Sequence, residues 1–214
     1  MKFGDVDFDL SSPRIMAVLN TTPDSFSDGG KLYGSGQLDL SVVLVRVESY
    51  LKDGADIIDV GGESTRPDAT PVDVNEELDR VVPIVEAIVE HFGALVSVDT
   101  STPLVMTEAA SAGAVMINDV RALRREGAVE AVVMTGLPVC LMHMAGEPGS
   151  MQKAPDYQDE LGEVRDFLMK RVSVCERAGI AREKILLDPG FGFGKTLKHN
   201  LTLFRGLNEL VKLG

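Results

Sequence analysis

Short apolar runs alternate along the chain with longer segments in which apolar residues recur every three or four positions. The runs have the length of buried strands, and the longer segments have the periodicity of amphipathic helices. The pattern predicts strands at residues 14–19, 57–60, 95–98, 114–117, 139–142 and 184–187. It predicts helices at residues 38–51, 73–92, 102–111, 128–135, 158–178 and 196–213.

The regular alternation of strand and helix predicts the fold class. Parallel strands joined by helical crossovers follow from such an order. A closed barrel of eight strand–helix units needs about 250 residues, and this chain has 214. We therefore expect an α/β fold of the (β/α)₈ TIM-barrel class, truncated after about six units, with two C-terminal units absent. The alternative is an open doubly wound sheet, which needs a glycine-rich turn after its first strand, and residues 20–23 (NTTP) are no such turn.

We expect one domain over residues 1–214, with a hairpin in residues 1–13 covering one end. Val6, Phe8 and Leu10 alternate with polar residues in that segment.

Charge and hydropathy limit the partners. The net charge of −12 and the isoelectric point near 4.7 argue against a nucleic-acid surface or an anionic membrane. No apolar run reaches the ~20 residues of a membrane helix. Cys140 and Cys175 lack metal-binding spacing and fit a reducing cytoplasm. We therefore expect a cytoplasmic protein that acts on small molecules.

Polar residues follow the predicted strands. In parallel α/β folds, ligands bind at the carboxyl ends of the strands. Carboxylates and amides there suit a planar heterocycle, because a carboxylate accepts two parallel N–H bonds from an amidine-like edge. These residues are Asn20, the string 63–66, Asp99, Asn118, Asp119, the triplet 142–144 and Asp188. Any one of them could instead cap a neighbouring helix.

The segment DPGFGFGK at residues 188–195 contains glycines at alternate positions. A nucleotide-binding P-loop would require a glycine where Pro189 stands, so that function is rejected. Glycines beside Phe191 and Phe193 suit close approach of the backbone to a flat ring. A flexible turn carrying two core phenylalanines is the alternative.

Six motifs together resemble the dihydropteroate synthase family. They are LNTTPDSFSDGG (19–30), GADIIDVGGESTRP (54–67), SVDTS (97–101), INDVRAL (117–123), LMHM (141–144) and LLDPGFGFGK (186–195). The resemblance extends over essentially the whole chain. It implies a (β/α)₈ barrel that uses Mg²⁺, usually as a homodimer. The implied reaction joins (7,8-dihydropterin-6-yl)methyl diphosphate to 4-aminobenzoate and releases diphosphate, in folate biosynthesis.

The resemblance also implies residue roles. Its pterin-binding positions correspond to Asp99, Asn118, Met142, Asp188, Gly192 and Phe193. Its diphosphate positions correspond to Asn20, Thr65 and Arg66, with Asn20 also the Mg²⁺ ligand. Its 4-aminobenzoate positions correspond to Phe26, Ser27, Thr65, Arg66 and Pro67. Asn20, Thr65, Arg66 and Asp99 are the implied catalytic residues.

Two motifs of the family, a Ser-Arg-Lys stretch after strand seven and an Arg-x-His stretch at strand eight, have no counterpart here. A pterin-binding fragment or scaffold without turnover is therefore one alternative function. A methyltetrahydrofolate-dependent methyltransferase of the same fold is another.

Overall fold

The computed structural model describes residues 1–22, 33–34, 37–64, 72–146 and 156–213. Within them, six parallel strands form the main sheet. These strands are β3 (Met16–Asn20), β6 (Ile57–Gly61), β7 (Leu95–Asp99), β8 (Met116–Asp119), β9 (Val139–Met142) and β10 (Ile185–Asp188). Two short hairpins lie outside this sheet: β1 (Lys2–Phe3) with β2 (Val6–Asp7), and β4 (Tyr33–Gly34) with β5 (Gln37–Leu38).

A helix follows nearly every strand of the sheet. The helices are α1 (Leu40–Lys52), α2 (Val74–Phe92), α3 (Pro103–Ser111), α4 (Ala128–Thr135), α5 (Glu160–Ala178), α6 (Leu197–Arg205) and α7 (Leu207–Leu210). Side chains of Asp39, Asp73, Asp159 and Thr196 cap the first turns of α1, α2, α5 and α6 by accepting backbone N–H bonds. These four helices therefore start where a short polar side chain satisfies free backbone donors, whereas α3, α4 and α7 start, within the described chain, without a side-chain cap.

The order of the strands distinguishes the two predicted folds. The sheet runs β3-β6-β7-β8-β9-β10, so each strand lies beside the next strand of the main sheet. A doubly wound sheet reverses its strand order at a switch point, and this order has no reversal. The open doubly wound alternative is therefore wrong, and the order is that of consecutive barrel units. Within the described residues, β3 and β10 are the edges and do not pair with each other.

The two faces of the sheet differ in chemistry. Leu19, Val60, Val98, Ile117 and Leu141 lie under the helices in the main apolar core and are fully buried. The intervening residues project from the opposite face, because successive side chains of a strand alternate. This opposite face, called the site face below, carries Asn20, Asp59, Asp99, Asn118, Met142 and Asp188.

Several predicted boundaries need correction. The first strand begins at Met16 instead of residue 14, and the strand predicted at residues 114–117 lies at Met116–Asp119. The single helix predicted at residues 196–213 is two helices, α6 and α7, followed by a 3₁₀ turn (Val211–Leu213). The break falls at Gly206, a weak helix former, where a Cβ would approach Leu161 Cδ2 to 2.7 Å.

In the described part of the chain, no helix combines the length and apolar character needed to cross a membrane.

Two isoleucines test how much the buried face contributes to stability. Ile58 of β6 is 0% exposed, whereas Ile15, which precedes β3, is 57% exposed. Ile58→Ala should lower the free energy of unfolding by about 2–5 kcal/mol, because it removes buried methyl groups and leaves a cavity. Ile15→Ala should lower it by less than about 1 kcal/mol. Urea denaturation of both variants measures the difference, and equal losses would contradict this assignment of the faces.

Candidate active site

A row of polar residues crosses the carboxyl ends of four neighbouring strands. Asn20, Gly61, Asp99 and Asn118 stand directly opposite one another in the parallel register of β3, β6, β7 and β8. Paired residues of this kind point to the same side of a sheet. Gly61 has no side chain, and a Cβ placed there would lie 3.5 Å from Asp99 Oδ2 and 3.6 Å from Asn20 Oδ1. The side-chain oxygens of Asn20 and Asp99 therefore lie on either side of the space above Gly61.

The row continues on β9 and β10. Cys140 stands opposite Asn118, and Asp188 stands opposite Met142 on the same face. Met142 belongs to a small apolar cluster with Val120 and Met144, against which Phe193 packs. The structure thus brings Asn20, Asp99, Asn118, Met142 and Asp188 to one face and one end of the sheet.

Two carboxyl groups on the site face have raised pKa values. Burial and then the neighbouring carboxyl of Asp59 raise the pKa of Asp99 well above its usual value, although its side chain is partly open to solvent. Burial also raises the pKa of Asp59, and Ser97 and Asn118 oppose that increase. Burial thus disfavours a full negative charge on both carboxyl groups at once.

Arginines compensate the acidic groups behind the row. Arg121 donates to Glu63 Oε2 at 2.9 Å, and Arg125 lies 3.3 Å from Glu63 Oε1. Arg121 also donates to Ser101 Oγ at 3.1 Å, and Ser101 donates to Asp119. Asp119 further accepts the backbone N–H groups of Arg121 and Leu123. This network joins the ends of β6, β7 and β8.

Glu77 of α2 extends the network to a helix. It is 1% exposed and accepts hydrogen bonds from Thr100 and from Thr102, the latter at 2.7 Å. Burial raises the pKa of Glu77 despite these bonds. Arg125 donates to Thr102 at 2.8 Å, so the loop after β7 is held from both sides.

The loop after β10 is held by a buried lysine. Lys195 Nζ donates to the carbonyl oxygens of His143, Gly190 and Phe193 at 3.2, 2.8 and 2.9 Å. Asp188 Oδ1 accepts the backbone N–H of Gly190 at 2.7 Å. Burial lowers the pKa of Lys195 to about 8. Because all three donors of the ammonium serve the backbone, this lysine acts here as a clamp between β9 and β10.

His143 lies beneath this clamp in an aromatic setting. Its ring is 5.0 Å from the Phe167 ring in an edge-on arrangement. Its Nδ1 is buried and has no hydrogen-bond partner among the described residues. Burial, followed by the nearby Lys195 charge, lowers the pKa of His143 to about 4. His143 is therefore neutral and structural at neutral pH.

A separate cleft lies at the opposite end of the strands. A cleft of about 490 Å³ is formed at the amino ends of the strands by largely apolar residues including Phe3, Phe8, Ile57 and Met116. Its charged lining residue, Arg14, is paired with Asp9 and Asp56, so we place the candidate active site at the carboxyl ends, where several carboxyl and amide groups share one face.

Part of the predicted site lies outside the described residues. This is so for Phe26, Ser27, Thr65, Arg66 and Pro67. Gly192 and Phe193 lie in the described loop after β10, where Gly192 N donates to Asn200 Oδ1 at 2.9 Å.

Sequence reasoning gave no role to several residues that shape this region: Asp59, Arg121, Arg125 and Lys195. Asp59 had a signal, since a carboxylate inside an otherwise apolar strand is costly unless it is paired or functional. The role of Arg121 depends on Glu63, 58 residues away, and one of the three carbonyl partners of Lys195, His143, is 52 residues away, so neither role had a local signal.

Residues 16–214 match the family described as "Pterin binding enzyme", and the fold and the polar row define an α/β enzyme of that class. The dihydropteroate synthase of Escherichia coli (strain K12) is 54% identical over 201 residues, which are 94% of this chain and 70% of that protein. The dihydropteroate synthase of Haemophilus influenzae is 50% identical over 206 residues, 96% of this chain and 73% of that protein. The chain belongs to the dihydropteroate synthase family of transferases.

Solved structures agree with this assignment. The Yersinia pestis dihydropteroate synthase, crystallised with a sulfonamide drug complex, superposes with a TM-score of 0.92 at 50% identity and covers 98% of this chain and 74% of its own. The Xanthomonas albilineans enzyme in complex with 7,8-dihydropteroate gives a TM-score of 0.83 at 42% identity, covering 97% of this chain and 71% of its own. These structures are TIM barrels, so the predicted (β/α)₈ class is confirmed.

A matched pair of glycines tests the clamp between β9 and β10. Gly190 and Gly192 both have positive φ angles, of 67° and 84°. A Cβ on Gly190 would lie 2.0 Å from the carbonyl oxygen of His143, whereas one on Gly192 meets no described atom within 4 Å. Both alanine variants carry the left-handed strain of about 1–2 kcal/mol. Gly190→Ala should lose at least about 2 kcal/mol more stability than Gly192→Ala in urea denaturation. Similar losses would contradict the close approach.

His143 should make stability depend on pH. Its pKa is lower in the folded chain than its usual 6.5, so its contribution is complete above pH 6.5 and is lost as the pH falls towards about 4. Wild type should lose about 2–3 kcal/mol more unfolding free energy between pH 7 and 4.5 than His143→Phe. The comparison cancels the carboxyl groups common to both proteins. Parallel pH profiles would show that His143 is protonated in the folded state.

Proposed function

We propose that this chain condenses (7,8-dihydropterin-6-yl)methyl diphosphate with 4-aminobenzoate, giving 7,8-dihydropteroate and diphosphate. The observation that carries the proposal is the gathering of Asn20, Asp99, Asn118 and Asp188 at one end of the site face. Family membership supplies the reaction, and this row supplies groups suited to its pterin substrate.

The proposed pterin slot lies between β7, β8 and β10. The aminopyrimidinone edge of a pterin presents N–H donors, and Asp99, Asn118 and Asp188 offer oxygen acceptors. Carboxylate acceptors give strong, directional bonds to a planar edge with two parallel donors. Met142 and Phe193 supply polarisable and aromatic contacts for the ring face, and the Gly192 backbone allows close approach.

Asp99 also has a proposed role in the reaction. When the bond to diphosphate breaks, the departing group takes the electron pair and the pterin-linked methylene becomes cationic. An ionised Asp99 stabilises this charge, because developing charge is favoured by an opposite charge fixed in advance. Burial raises the pKa of Asp99 in the free protein. A cationic ring beside it would lower that pKa and so favour the ionised form. The amine of 4-aminobenzoate then forms a bond to the methylene carbon and loses a proton.

The side-chain oxygens near the end of β3 are suitable ligands for Mg²⁺. Asn20 Oδ1 and Asp99 Oδ2 converge over Gly61, and Mg²⁺ prefers oxygen ligands while keeping several waters. Within the described residues, no cluster of three or more His, Cys, Asp or Glu side chains could hold a metal alone. We therefore propose Asn20 as the protein ligand, with waters and diphosphate oxygens filling the other positions. Bound there, the ion would neutralise charge on the leaving diphosphate.

The remaining assignments rest on the sequence. Thr65 and Arg66 are proposed to contact diphosphate and 4-aminobenzoate, and Phe26, Ser27 and Pro67 to cover the aminobenzoate. The described chain supports one point of this arrangement: Glu63 at the end of β6 is fixed by Arg121 and Arg125. The segment bearing Thr65 and Arg66 therefore begins from an anchored position.

We also propose a homodimer in the cytoplasm. On α6, Leu197 and Phe204 are 76% and 67% exposed, and such apolar side chains on one helix favour a protein contact.

The direct test mixes both substrates with Mg²⁺ and the full chain. Diphosphate release, measured by a coupled assay, should require both substrates and should match dihydropteroate formed, measured by chromatography. Saturable pterin binding without either product would instead support a pterin-binding protein without turnover. Methyl transfer from methyltetrahydrofolate without diphosphate release would support the methyltransferase alternative.

Asp188→Ala tests the pterin slot. The change leaves a donor edge of the ring unpaired, so pterin affinity should fall about 100-fold. Isothermal titration calorimetry with 6-hydroxymethylpterin measures the change. Asp166→Ala on the exposed surface of α5 is the matched control and should bind like wild type. Unchanged affinity in a folded Asp188→Ala protein would remove Asp188 from the site.

A further inference from the structure

Asp59 lies on the site face directly beneath the polar row. It is 2% exposed, two residues before Gly61 on β6, and stands opposite Ser97 of β7. Its Oδ2 accepts a hydrogen bond from Asn118 Nδ2 at 3.1 Å. Its Oδ1 is buried and has no hydrogen-bond partner of normal geometry among the described residues. The Ser97 hydroxyl also acts on this carboxyl group, and the Asn118 amide is the side-chain donor whose hydrogen bond to it has normal geometry.

This contact determines which way the Asn118 amide faces. An ionised carboxylate only accepts hydrogen bonds, and in an amide only the nitrogen donates them. The Asn118 nitrogen must therefore face Asp59, which turns the amide oxygen away from it. If burial keeps a proton on Asp59, Oδ1 can carry it while Oδ2 continues to accept, so the amide keeps its orientation. The amide oxygen then faces away from Asp59 in both protonation states.

We propose that Asp59 is a positioning residue that sets the specificity of the pterin slot by holding Asn118 with its amide oxygen available to the ligand. The inference rests on the proposed function, because it names the property that selects the ring. With Asn118 held this way, the slot presents oxygen acceptors from Asp99, Asn118 and Asp188. Such a slot favours a ring edge with N–H donors and disfavours one with oxygen at the same place.

The 2-position of the ring separates these cases. A pterin has an amino group there, which donates, whereas the corresponding lumazine has a carbonyl oxygen, which accepts. In Asp59→Asn, the new amide can donate to Asn118 Oδ1 as readily as it can accept from Nδ2. The Asn118 amide can then turn its nitrogen towards the ligand. The variant should therefore lose discrimination between the two rings while keeping the size of the side chain.

The experiment measures dissociation constants for 6-hydroxymethylpterin and 6-hydroxymethyllumazine by isothermal titration calorimetry on the full chain. Wild type should bind the pterin more tightly, so its dissociation constant for the lumazine should exceed that for the pterin. Asp59→Asn should reduce this lumazine-to-pterin ratio of dissociation constants about tenfold, the effect of one hydrogen bond. Asp79→Asn, the same change on the exposed surface of α2, should leave the ratio unchanged. A ratio equal to that of wild type in Asp59→Asn would overturn the proposal.

A second variant covers the case in which Asp59→Asn does not fold. Asn118→Ser removes the amide, so the ratio should fall in this variant as well. If both variants fold, adding Asp59→Asn to Asn118→Ser should produce no further change, because the group that Asp59 positions is gone. Full discrimination in Asn118→Ser would overturn the proposal. A general loss of stability would weaken both ligands together and leave the ratio intact, so a merely structural role is distinguishable.

The same titrations separate this inference from the proposed function. If wild type binds neither ring, the proposed function fails and the inference with it. If wild type binds and prefers the pterin, but Asp59→Asn keeps that preference, the proposed function stands and only the role of Asp59 is refuted.

Discussion

Parallel pairing of the six strands is the constraint on which the candidate site depends. Side chains alternate between the two faces of a strand, so a shift of one residue in any pairing would exchange its faces. The register places Leu19, Val60, Val98 and Ile117 under the helices, and by the same step it places Asn20, Asp99 and Asn118 together on the other face. The apolar core thus fixes the positions of the polar groups, and stability and site geometry have one origin.

The concentration of acids at this end of the sheet requires compensation. Burying a carboxylate is costly unless hydrogen bonds or opposite charges accompany it. Asp119 and Glu77 receive hydrogen bonds from serine, threonine and backbone donors, and Glu63 is paired with two arginines. Asp59 and Asp99 receive fewer such bonds within the described chain. Asp59 is buried and contacts Asn118, whereas Asp99 is partly open to solvent and therefore available to a ligand.

The strand and helix pattern was predictable because it depends on local periodicity. The positions of Asn20, Asp99 and Asp188 at strand ends followed from that pattern together with the rule for parallel sheets. The break at Gly206 was not predictable, since it reflects contact with Leu161 on another helix. The clamp made by Lys195 was also hidden, because one of its partners, His143, is 52 residues away. Local rules therefore gave the framework, and tertiary contacts decided which polar groups remain available.

The pairing of Glu63 with Arg121 has a consequence for how this region responds to salt. The two side chains are only 9% and 11% exposed, so dissolved ions screen their attraction far less than that of surface pairs. The position of Glu63, where the chain continues after β6, should therefore depend little on ionic strength. The same anchoring geometry should therefore hold in dilute buffer and in concentrated salt.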